Sequence, residues 1–238
     1  MSELVQLRAK PAPSGFALFA KGFRPFFLLA ALLAVAAVPL WLVARRGHLA
    51  VGEPLLPTVW HAHEMVFGFA AAVIAGFLLT AAANWTQRET LVGIGLAGLA
   101  AVWVAGRGAL LLGLDGRLSS ALSLAFLPVL AIAVGRPILL AKSRRNYGVV
   151  GLLALLFGAQ ALTHVGAHAS DVHLETLGPR LGLGLVVLLV LVIGGRIIPL
   201  FTRNATGAED VRSVPWLDRA SLGLALAVVA LDALSVRG

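Results

Sequence analysis

Histidines and a few charged residues set inside long apolar runs are the groups in this sequence that could do chemistry. His61 and His63 sit at the start of one apolar run, and His164 and His168 close another. Imidazole suits iron, copper and zinc, and a thioether such as Met65, four residues after His61, prefers Cu(I) or haem iron. The chain has no cysteine, which excludes disulfides, zinc ribbons and cysteine-held iron–sulfur clusters. A buried, histidine-rich, cysteine-free site therefore points to haem or copper. His164 and His168 are four apart and share a helix face, which Gln160 extends inward as a polar stripe. His61 and His63 lie about 200° apart on a helix, so one face cannot present both. Either one of them ligates, or the stretch is not yet helical and both converge. Glu64 and Arg107 fall at similar depths, and pairing would lower the cost of each. Alternatively, Arg107 holds a haem propionate, whose carboxylate a guanidinium matches. Any one of these histidines alone reads as an interfacial residue satisfied by a carbonyl or water. The four together read as metal ligands, His61, His63, His164 and His168, with Glu64, Met65, Arg107 and Gln160 around them.

The elements that must position these groups are membrane helices. Of 238 residues, 59% are hydrophobic and only 13% charged, about half the charge of a soluble domain. The fold class expected is all-α, a polytopic transmembrane bundle. Apolar runs long enough to cross a bilayer fall at about 26–44, 60–83, 90–114, 119–141, 148–168 and 179–200. A seventh run, about 220–235, is short and contains Asp232, which suits a truncated or marginal span. Residues 1–25 form a basic N-terminus, and 26–238 read as one transmembrane domain. The net charge of +8 would suggest nucleic acid in a soluble protein. Here it belongs to loops on the cytoplasmic side, and no nucleic-acid partner is expected. Arg8, Lys10, Lys21, Arg24, Arg88, Lys142, Arg144, Arg145, Arg203, Arg212 and Arg219 gather on one side, against Arg45, Arg46, Arg117 and Arg180 on the other. That bias puts the N-terminus in the cytoplasm of a bacterial inner membrane, and all six histidines at the outer side. Trp60, Trp85 and Trp216 fit an aromatic belt. Gly93-Ile94-Gly95-Leu96-Ala97-Gly98 matches a dinucleotide-binding pattern. Inside a span, though, it reads as small-residue helix packing.

Three blocks carry a family resemblance. They are Phe19-Ala20-Lys21-Gly22-Phe23-Arg24-Pro25-Phe26-Phe27, then Trp60-His61-Ala62-His63-Glu64-Met65-Val66-Phe67-Gly68-Phe69 with Asn84-Trp85-Thr86, and last Gly194-Gly195-Arg196-Ile197-Ile198-Pro199-Leu200-Phe201-Thr202-Arg203-Asn204. In order and spacing these closely resemble the NnrS family. The resemblance implies a membrane protein containing haem and copper, tied to denitrification and the nitric-oxide response, with nitric oxide as a ligand. It implies His61, His63 and Glu64 as site residues, and Arg196 and Asn204 as further candidates. Family members are usually longer, with about twelve spans, so this chain resembles the N-terminal half and a homo-oligomer would be one way to complete it. Whether the protein is an enzyme stays open. The competing reading is a small-solute or cofactor permease, with Glu64, Arg107 and the Gln/His stripe lining its path.

Overall fold

A computed structural model describes residues 17–48, 54–208 and 211–234. Arg8 and Lys10 lie outside the described residues. The described chain is helical, with no strand among the described residues. We number the long helices α1 (Phe23–Arg45), α2 (Pro57–Thr86), α3 (Gly93–Leu111), α4 (Gly116–Leu140), α5 (Tyr147–Ala169), α6 (Val172–Thr206) and α7 (Pro215–Leu234). The first six are long and apolar enough to cross a membrane. A hydrocarbon core of about 30 Å needs roughly 20 helical residues, and water-free surroundings demand that each span satisfy its own backbone groups. The all-α, multi-pass fold expected from composition is therefore the observed one.

Helix ends extend past the apolar runs. α6 begins at Val172 and continues to Thr206, and α7 starts at Pro215, so both ends of the charged stretch between Arg203 and Arg219 are helical. α7 has 20 residues rather than the roughly 16 of its apolar run, yet it is not among the six apolar spans and buries none of its residues. Asp115 opens α4 by accepting the N–H groups of Arg117 and Leu118, and Asp171 caps α6 through Leu174. Such caps satisfy amides that lack a partner within the helix.

Short connections make successive helices antiparallel, and α5 packs most extensively on α6. Glycine permits that approach. A Cβ on Gly166 would collide with the backbone of Glu175, and one on Gly178 with Thr163 and Ala159. The glycine run in α3 is different. Gly93 and Gly98 face open space, and the close approach to α4 is made by Gly106, against Leu122 and Ser123. Phe26, Phe67, Phe126, Leu127 and Leu153 fill the shared core. Trp60 is buried with Ala44, Leu55 and Leu110 rather than lying in an interfacial belt, whereas Trp216 is exposed.

α2 is not uniform. Pro57–His63 is α-helical, Glu64–Ala70 winds as a π-helix, and Ala71–Thr86 returns to α. A π segment widens the turn, is rare, and is frequent at functional sites. Here the backbone carbonyls of Phe67 and Gly68 accept hydrogen bonds from two α3 side chains, Arg107 and Trp103.

Candidate functional site: a buried His/Glu/Arg cluster between α2, α3, α4 and α5

The π segment begins at the residue after His63, and the change of winding aims both Glu64 and Gly68 at α3. Glu64 Oε2 meets Arg107 Nε at 3.0 Å, an ion pair whose N–H does not point along a hydrogen-bond line. The other nitrogens of Arg107 donate to Phe67 O at 3.1 Å and Ser123 Oγ at 2.6 Å. Both charges are buried, at 2% and 8% exposure, so each depends on these partners. A methyl on Gly68 would crowd Glu64 Oε2 and Leu33, so glycine keeps the pair accessible to each other. All three Arg107 nitrogens have a contact here, which favours the ion pair over a role in holding a propionate.

Glu64 Oε1 lies 3.0 Å from His63 Nδ1. A carboxylate only accepts, so Nδ1 carries the proton and Nε2 keeps a lone pair. Gln160 Nε2 donates to that lone pair at 3.3 Å, and also contacts Ser123 O and Oγ. His164 packs edge-to-face on His63, with 5.1 Å between ring centroids. Ser120 Oγ lies 3.0 Å from both His164 Nδ1 and His168 Nε2. A hydroxyl has one proton to give, so at least one of the two histidines donates to it. Two buried atoms, His164 Nε2 and Gln160 Oε1, have no protein partner.

The structure thus brings together His63, Glu64, Arg107, Gln160 and His164, with His168 joined through Ser120 at the exposed end of α5. It does not bring His61 or Met65 into this cluster. His61 stacks on Trp41 of α1, centroids 4.6 Å apart, and its Nδ1 is buried without a partner. His61 and Met65 line a separate, mostly apolar groove between α2 and α6, of about 500 Å³, with Pro179, Leu183 and Arg180 on its far wall. The opposed directions of His61 and His63 follow from the helical winding through both. Arg196 lies at the other end of the bundle, donating to Asn146 Oδ1 and Arg145 O, and Asn204 is exposed near the end of α6. Among the described residues no three His, Asp or Glu side chains form a ready-made metal site.

Sequence reasoning did not single out Ser120 and Ser123, which connect the cluster to α4. Their i, i+3 spacing in an apolar span was the available signal. It also left Glu175 in a loop. That carboxylate is buried in the first turn of α6 and accepts the Leu56 N–H at 2.7 Å, fixing the entry to α2.

The family model described as NnrS protein matches residues 17–238, nearly the whole chain. The chain belongs to the NnrS family. No curated protein and no solved structure matches it. NnrS membership, with six apolar spans, makes it a multi-pass membrane protein of the nitric-oxide response. The block Trp60–Phe69 lies within the matched residues, and it sends His63 and Glu64 into the buried cluster and His61 to the groove between α2 and α6. Arg107, Ser120, Ser123, Gln160 and His164 complete the buried cluster from outside the three blocks.

Proposed function

We propose that this protein binds copper and haem near the periplasmic face of the bacterial inner membrane, with its N-terminus in the cytoplasm, and uses them on nitric oxide. The observation that carries the reading is the arrangement of His63 and His164. Each imidazole has Nδ1 engaged by a side-chain oxygen, Glu64 or Ser120, and Nε2 turned to the interior. Metal-bound histidines are commonly oriented in this way, their second nitrogen donating to a carboxylate or other acceptor. With Nδ1–H of His164 given to Ser120, the serine proton is free for His168 Nε2, and His164 Nε2 holds an unpaired lone pair. Leaving that atom buried without a partner costs about 1–3 kcal/mol, which a metal would offset. His63 Nε2 is released by giving up Gln160, whose amide retains Ser123. Two imidazoles suit copper. Glu64 then orients one ligand and offsets cationic charge, while Arg107 keeps the carboxylate in place.

The groove with His61 and Met65 has the donor chemistry for haem iron, apolar walls for a macrocycle, and Arg180 at its edge for a propionate. Its volume falls within the range of about 300–1,000 Å³ common to cofactor clefts. Bound iron or copper would supply a centre for binding nitric oxide and exchanging one electron. Nitric oxide is small and apolar, so it reaches a site within the bundle through lipid. The permease reading has less support, because Glu64 pairs with Arg107, Arg107 also bonds Ser123 and backbone, and Gln160 bonds His63 and Ser123. The test is absorption spectroscopy and copper analysis of the purified protein. His61→Ala should lose the Soret band and keep copper, and His164→Ala should do the reverse. A wild-type protein with neither haem nor copper sinks the proposal.

A further inference from the structure

The opposite end of the bundle holds a basic pocket that the metal reading does not use. It lies between α6, α7 and the α4–α5 connection, with a volume of about 670 Å³. Arg145, Arg196, Arg203 and Arg212 line it, against Asp218 among the described residues. Glu209 and Asp210, next to it in sequence, lie outside the described residues. Arg196 is held in place by donating to Asn146 Oδ1 at 3.1 Å and Arg145 O at 3.2 Å. A guanidinium has five N–H donors, so three remain for a ligand.

Gly194 and Gly195 form part of the lining. Added Cβ atoms would come no nearer than 3.6 Å to Ile198 and 4.0 Å to Asp218 respectively. No close helix packing requires the double glycine, so its effect is to leave the lining low where the arginines converge. Beyond the arginines the walls turn apolar, with Val190, Leu191 and Leu222. Ile198 and Phe201 beside them are exposed on a helix that crosses the membrane.

We propose that this pocket binds the phosphate headgroup of an anionic membrane lipid, with its acyl chains along the apolar wall of α6 and α7. Arginine matches phosphate oxygens bidentately, and basic pockets between spans at the cytoplasmic side suit anionic headgroups. Free phosphate has the same oxygens but no use for the apolar wall. The site would tie α7, which buries no residue, to the rest of the bundle.

Native mass spectrometry of the purified full chain tests this, with phosphatidylglycerol, phosphatidylcholine or inorganic phosphate added. Phosphatidylglycerol should be retained over phosphatidylcholine, and millimolar phosphate should not displace it. R203Q/R212Q should weaken retention by roughly fivefold per arginine, as expected for basic side chains near an anionic lipid. Gly195→Leu adds apolar bulk to the lining without changing charge, its Cβ coming no nearer than 4.0 Å to Asp218, and should also lower retention. Arg88→Gln, outside this pocket, should leave it unchanged. Equal retention of the two lipids, displacement by inorganic phosphate, or wild-type retention in R203Q/R212Q would each overturn the proposal. Copper and haem content should not move in these variants, which separates this outcome from failure of the metal reading.

Discussion

Glu64 is the residue on which the buried cluster turns, because its two oxygens serve two different partners. Oε1 holds His63 in one tautomer and Oε2 meets Arg107. Removing one member of a buried pair strands the other, at a cost of about 3–5 kcal/mol. Glu64→Gln and Arg107→Gln should each lower thermal stability in detergent by about that much, while the double variant should lose less than the sum. Additive losses would show that the two charges do not depend on each other. Ser120 makes a different contribution, since it acts only through the two histidines it bonds. Ser120→Ala should leave the fold intact and weaken copper affinity by roughly 10–100-fold, read by competition with a chelator. The histidines and Glu64 were legible as singular polar residues in apolar runs. Their partners were not, because a serine in a span is common, and its meaning depends on what the neighbouring helix places opposite it.

At the scale of elements, the position of α2 depends on its π segment and on the helix pair α5–α6. The π winding turns the Phe67 and Gly68 carbonyls to α3, and Glu175 on α6 holds the backbone just before α2. Gly166 sets the spacing of α5 and α6 by lying against the Glu175 backbone. Gly166→Val should therefore cost at least about 1–3 kcal/mol by overpacking. It should also move Glu175 off Leu56, seen as faster hydrogen exchange at the start of α2. A normal melting temperature in that variant would refute the packing argument. Helix existence was plain from apolar run lengths, but helix ends were not. Polar residues such as His173, Glu175 and Arg203 continue α6, because a helix leaving the bilayer keeps its backbone bonds whatever its side chains prefer. A π turn leaves no pattern in hydropathy, so nothing in the sequence announced it.

For the whole molecule, alternating spans place the buried cluster toward one end of the bundle and the basic pocket toward the other. In the orientation proposed from the Lys and Arg bias, the N-terminus and the Ser143 connection lie in the cytoplasm. A fluorescent protein inserted at Ser143 should fluoresce, and alkaline phosphatase fused after His48 should be active. The reverse pattern would invert the proposed sidedness of both sites. The sequence by itself determined that this is an all-α membrane bundle and which polar groups lie at its histidine end, and its three blocks carried the resemblance to the NnrS family; it left open whether His61 and His63 converge. The bundle and the placing of its polar groups follow from side-chain hydropathy and helical periodicity, which are local. Only the tertiary structure decided that Glu64 pairs with Arg107 and His63 meets His164. It also decided that His61 and Met65 share a groove between α2 and α6, and that serines of α4 tie the cluster together. These depend on which faces of separate helices meet, and helices that are apolar all round carry little amphipathic signal to say so.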